Sequence, residues 1–140
     1  MVRTSETQKD TLVTEAARLA AAAEADDTAV EPFVRAFYEH VPPADVVSRA
    51  ASDLADAALS IWRLGADRPA GRPKIRILTT PSAEEAWVGE RSIVQIVNDD
   101  MPFLVDSTNA ALTGLGFDVR LIIHPVVNVK RDGAGRLLAS

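Results

Sequence analysis

The chain has no cysteine among its 140 residues, which excludes disulfides, thiolate metal sites and thiol catalysis. Glycine is scarce, at seven positions, and Gly114-Leu-Gly116 falls at a helix end rather than between a strand and a helix start, so no phosphate-cradling loop is present. Positive charge is not in excess: fifteen Lys and Arg against twenty Asp and Glu leave a net charge of −5, which argues against a nucleic-acid partner. No run approaches eighteen apolar residues and no charged-then-apolar leader opens the chain, so no membrane partner is expected and a cytoplasmic location is. What remains is ordinary globular material, 47% hydrophobic and 25% charged, enough for one modest core.

That material is unevenly divided. Residues 1–66 carry six basic and eleven acidic side chains and sixteen of the twenty-three alanines, whereas residues 67–140 carry nine of each charge. Alanine is the strongest helix former, so the first part reads as helical and the second as mixed. The pattern divides into an N-terminal helix within 1–27, partly disordered, a helical region over 28–66, a Gly- and Pro-rich linker over 67–73, and a strand-containing module over 74–140.

In the first part, Leu12, Ala16, Leu19 and Ala23 share one face of a helix from Lys9 to Ala23. That stripe buries little area, so the reading expects a loosely docked helix. Thr28-Ala-Val-Glu31 is a capping-box pattern with Pro32 in the first turn. Val30, Phe33, Val34, Phe37 and Val41 then repeat at helical spacing up to Pro42-Pro43. A short helical turn over 44–49 precedes a helix capped by Ser52, with Leu54, Ala58, Ile61, Trp62 and Gly65 along one side. Phe33, Phe37 and Trp62 read as packing residues.

In the second part, Ile75 and Ile77 alternate with Lys74 and Arg76, which predicts a half-exposed edge strand, and Pro81–Glu85 forms the connection after it. Ser92–Val97 is almost continuously apolar and β-branched and is expected at the centre of the sheet. A helix from Pro102 to Leu115 directs Leu104, Thr108, Ala111, Leu112 and Leu115 at the sheet, with Gly116 as its left-handed C′ residue. Val119–Lys130 reads as a strand whose odd positions face one way, with a break at Pro125. Asp132-Gly133 is a tight-turn signal, and the returning strand barely starts before Ser140. The sheet is therefore expected to be incomplete and the chain a fragment of a longer protein.

The densest polar cluster, Asn98 to Ser107, joins an apolar strand to a helix N-terminus. Asp99 or Asp100 can cap that helix, Pro102 suits its first position and Phe103 packs. The same loop can instead form a pocket in which helix N–H groups take a carboxylate while Asn98 or an Asp takes an amino group. A metal held by Asp99, Asp100, Asp106 and His124 is a third option that their spacing does not select. Ser107 and Ser140 have no accompanying His and Asp, and no catalytic machinery is visible.

The stretch Ser92 to Leu121 resembles the first half of an ACT domain, a βαββαβ module that often binds amino acids. Asp100-Met-Pro-Phe-Leu-Val105 stands in its motif position, with Phe103 where that motif prefers Gly. A longer ordered string is similar to the N-terminal region of the large bacterial NAD-dependent glutamate dehydrogenases. It comprises Phe37-Tyr-Glu-His-Val-Pro-Pro-Ala-Asp45, Ala57-Ala-Leu-Ser-Ile-Trp62, Ile96-Val-Asn-Asp-Asp-Met-Pro-Phe-Leu-Val-Asp-Ser107, Ile122-Ile-His-Pro-Val126 and Lys130-Arg-Asp132. The resemblance implies an α+β fold: Ala-rich helices followed by an incomplete ACT-like (ferredoxin-like) ββαβ sheet with one helix packed on it. It implies a regulatory or assembly element that is itself non-catalytic, within a parent enzyme converting L-glutamate to 2-oxoglutarate and ammonia. NAD would serve the parent, and no cofactor this segment. Candidate effector contacts are Asn98, Asp99, Asp100, Met101, Phe103 and Leu104. Candidate partners are an amino-acid effector and a second copy, met through a sheet edge or helix face. An ACT-like oligomerisation module without a ligand, and the amino-acid-binding domain of another metabolic enzyme, are the alternatives.

Overall fold

A computed structural model of the chain describes residues 2–69, 71–78, 92–127 and 129–139. Four helices come first: α1 (Val2–Ala23), α2 (Val30–Tyr38), α3 (Pro43–Val47) and α4 (Ala51–Leu64). An antiparallel ribbon of β1 (Lys74–Leu78) and β2 (Ile93–Val97) follows, then α5 (Leu104–Gly114) and a short pair, β3 (Lys130–Arg131) with β4 (Leu137–Ala139). The α+β, ACT-like reading holds. The expected connection at Pro81–Glu85 lies outside the described residues.

The core is built by the first four helices. Val30, Phe33 and Val34 of α2 pack with Leu54, Ala58 and Trp62 of α4, and the Phe33 and Trp62 rings lie 4.7 Å apart. The helix predicted to be loosely docked is instead central to this packing. Val13, Ala16, Ala17 and Ala20 of α1 are buried, the three alanines completely, while Leu19 is 39% exposed. The seam is therefore rotated away from the leucine stripe, because alanine lets neighbouring helices approach closely. Lys9 adds a tie, donating from Nζ to the carbonyls of Glu39 at 3.0 Å and Val41 at 2.8 Å.

Two caps differ from the sequence expectation. Thr28 makes no capping box; Asp27 Oδ1 accepts from Ala29 N–H at 3.0 Å and its Oδ2 accepts from Trp62 Nε1 at 2.9 Å. One carboxylate thus holds the start of α2 against α4. Ala50, not Ser52, is the cap position of α4.

In the ribbon, Ile75 stands opposite Ile96, Arg76 opposite Gln95 and Ile77 opposite Val94. Alternation places Ile75, Ile77, Val94 and Ile96 on one face. The other face meets α4, where buried Gln95 donates from Nε2 to Ser60 Oγ at 2.9 Å. The expected central place of Ser92–Val97 is corrected: among the described residues β2 pairs with β1 alone. Of the strand expected over 119–130, only Lys130 is in a strand among the described residues, and no described strand flanks β2 on its other edge. Pro125 offers no ladder donor, and Ile123 and Val127 reach the helical core instead. The predicted one-sidedness survives in part, since Val119, Ile123, Pro125 and Val127 are half-buried and the even positions from 120 to 126 exposed.

The helix expected against the sheet is present but buries none of its residues; Ala111 and Leu115 are exposed. Its stripe holds two large aliphatic side chains within the helix, Leu104 and Leu112, too little area to force docking on a two-stranded ribbon. Its end is as predicted. Gly116 has φ +91°, its N–H donates to Thr113 O at 3.0 Å, and Phe117 N–H donates to Leu112 O at 3.0 Å.

Candidate functional site

The loop 98–103 leaves β2 and enters α5 through an unusual backbone. Phe103 precedes the helix with φ +63° and ψ +13°, and it is the one non-glycine residue with positive φ among the described residues. A β-carbon in this region costs about 1–2 kcal/mol. Glycine suits such a position because it lacks that carbon. Here the ring is not packed as the sequence suggests but is 75% exposed. Ser107 N–H donates to Phe103 O at 2.8 Å, so the helix begins at that strained residue rather than at Pro102.

The other candidate contacts do not converge. Asn98 donates from Nδ2 to Met101 Sδ at 3.4 Å, Asp100 is exposed, Met101 is 51% exposed and Leu104 half-buried. Neither Asp99 nor Asp100 caps α5, which has no side-chain cap. Asp99 turns the other way, toward Arg68. The four residues considered for a metal are not gathered either: among the described residues no group of three or more His, Cys, Asp or Glu could hold an ion.

Sequence reasoning missed the place where Asp99 arrives. The stretch expected to be a linker is pinned to the β3–β4 hairpin. Arg68 N–H donates to Gly135 O at 2.9 Å, Leu137 N–H donates to Ala66 O at 2.7 Å, and Asp67 forms a bridge with Arg136. Lys74 Nζ donates to Asp67 O at 2.7 Å. The crossing depends on Gly135, with φ +90°, because a Cβ there would lie 2.2 Å from Arg68 O. The hairpin turn predicted around Asp132-Gly133 is present, with Gly135 as the left-handed residue and Asp132 Oδ1 accepting from Ala134 and Arg136 N–H, each at 2.9 Å.

This crossing gathers charge. Arg68 is 7% exposed; its Nη1 donates to Arg72 O at 2.7 Å and its Nη2 to Asp99 Oδ1. Arg131 donates from Nη1 to Gly135 O at 3.0 Å. Burial lowers the pKa of Arg131, the nearby Arg68 charge lowers it further, and Asp67 and Asp99 oppose both. The only early signal was the density of Arg and Lys in 68–76 and 130–136, two stretches that are far apart in sequence.

The family described as "Glutamate dehydrogenase, ACT1 domain" matches residues 33–140. An NAD-specific glutamate dehydrogenase of Halomonas elongata is 35% identical over 108 residues, covering 77% of this chain and 7% of that protein. One of Pseudomonas aeruginosa is 28% identical over 105 residues, covering 75% of this chain and 6% of that protein. The chain thus spans well under a tenth of the length of these relatives. No solved structure matches.

Proposed function

Because the chain belongs to the glutamate dehydrogenase ACT1 domain family, we propose that it is a non-catalytic assembly segment of an NAD-dependent glutamate dehydrogenase. The parent reaction is oxidative deamination of L-glutamate to 2-oxoglutarate and ammonia, with NAD bound elsewhere in the longer cytoplasmic protein. A regulatory role belongs to the same proposal, because a segment that sets subunit contacts would bear on the geometry of an active site elsewhere in the protein.

The observation that carries this reading is where apolar surface is left uncovered. Of the large hydrophobic side chains exposed among the described residues, Leu19 alone belongs to the helical part; Ile75, Ile77, Val94, Met101, Phe103, Leu115, Phe117 and Val126 are among those beyond it. Ile75 and Ile77 are 58% and 61% exposed on a ribbon face that also presents Val94. Exposed apolar surface of this extent marks a binding surface. A two-stranded ribbon also leaves backbone donors and acceptors along its edges, which favours a second copy as the occupant.

Sedimentation velocity on the chain is expected to show a dimer, and Ile77→Lys is expected to give a monomer with an unchanged far-UV spectrum. A strictly monomeric parent chain overturns the assembly role, and NAD reduction with glutamate by this segment overturns its non-catalytic character. A second reading, an amino-acid effector held by Asn98–Leu104, has the left-handed Phe103 in its favour, since such strain concentrates at functional positions.

A further inference from the structure

We propose that Arg68 and Arg131 form a binding site for a small-molecule carboxylate, a site that Asp99 fills from within the chain. This inference is independent of self-association, because it rests on the crossing of residues 66–69 with the β3–β4 hairpin and not on the ribbon face.

Backbone contacts hold both cations in place independently of Asp99. Arg68 is fixed by its backbone N–H on Gly135 and by Nη1 on Arg72 O, and its side chain is 9% exposed. Arg131 is fixed by Nη1 on Gly135 O, so one hairpin carbonyl region anchors both residues. A guanidinium has five donors, and backbone carbonyls use one on each of these side chains. Carbonyls bring no charge; Arg131 lies close enough to feel the Arg68 charge, which Asp67 and Asp99 oppose, and two neighbouring like charges favour an anion beside them. Planar guanidinium forks match the two oxygens of a carboxylate.

The group now on Arg68 is itself a carboxylate. Asp99 is the inverse of its partner in exposure, with its side chain 65% open to solvent above a buried arginine. It stands on a stretch with no regular structure, whose side-chain tie at Asn98 runs only to Met101. A free carboxylate can therefore take the place of Asp99 from the solvent side without moving either arginine. Replacement releases Asp99, and with it the loop that leads into Phe103 and α5.

The signs of two substitutions separate this site from a purely structural ion pair. Binding is read by calorimetry on the full chain with acetate, L-glutamate and inorganic phosphate, each at matched ionic strength. Asp99→Asn, which removes the internal competitor, is expected to bind acetate and L-glutamate at least tenfold more tightly than the parent chain. Arg131→Gln, added to Asp99→Asn, is expected to lose at least tenfold of that gain. Far-UV spectra establish that each variant is folded. Equal affinities in all three proteins overturn the site, as does tighter binding of phosphate than of the carboxylates. Failure here leaves the dimer intact, whereas Ile77→Lys disrupts the dimer and leaves carboxylate binding unchanged.

Discussion

Single side chains do more in this molecule than their type suggests. Tyr38, the one tyrosine, is 3% exposed and donates its hydroxyl to Leu54 O at 2.6 Å, joining the end of α2 to α4. Burial raises its pKa above the ordinary phenol value, and the charge of Arg49 only partly opposes this. An unfolded phenol titrates near pH 10, so above about that pH the unfolded chain has lost a proton that the folded chain keeps. Stability contributed at neutral pH is therefore lost as pH rises. The urea midpoint is expected to fall from about pH 9.5 upward, and Tyr38→Phe to flatten that fall while costing about 1 kcal/mol at neutral pH. Asp27 is a bridge that the local capping pattern at Thr28 does not reveal. Its Trp62 contact spans 35 positions in sequence.

Among the elements, α1 shows why a weak-looking stripe becomes a seam. Ala16, Ala17 and Ala20 each bury little area, yet they let α2, α3 and α4 come near enough for Val30, Val34 and Leu54 to be fully enclosed. Enlarging the seam is expected to be worse than trimming the leucine beside it. Ala17→Leu should destabilise by about 1–3 kcal/mol through overpacking. Leu19→Ala, on a residue 39% exposed, should change stability by less than about 0.5 kcal/mol. Both are read from urea unfolding followed by far-UV circular dichroism. The opposite lesson comes from residues 119–127, whose alternation is that of a strand although none forms there. Alternation specifies which side of an extended segment is apolar, while a ladder needs a partner strand and N–H donors facing it, and Pro125 has no N–H to give.

Over the whole molecule, cohesion and exposure are segregated. Every buried hydrophobic residue of the described core lies between Val13 and Trp62 except Leu78, while most of the exposed large ones lie beyond Lys74. Local opening is easiest where few apolar groups are buried. Hydrogen exchange is therefore expected to be slowest in α2 and α4 and fastest in α5 and the β3–β4 pair, and uniform protection across the chain would contradict this picture.

Local patterns were enough for the helical first part, the ribbon strands, the α5 helix with its Gly116 stop, and the family to which residues 33–140 belong. Each is encoded by residues within a few positions of one another, through periodicity, propensity or motif. Packing between distant segments set which face of α1 is buried, brought Asp99 to Arg68 rather than to a helix cap, and crossed residues 66–69 with the hairpin at Gly135. Those outcomes depend on contacts between segments tens of residues apart. Their energies come from close approach and desolvation, which no local pattern records.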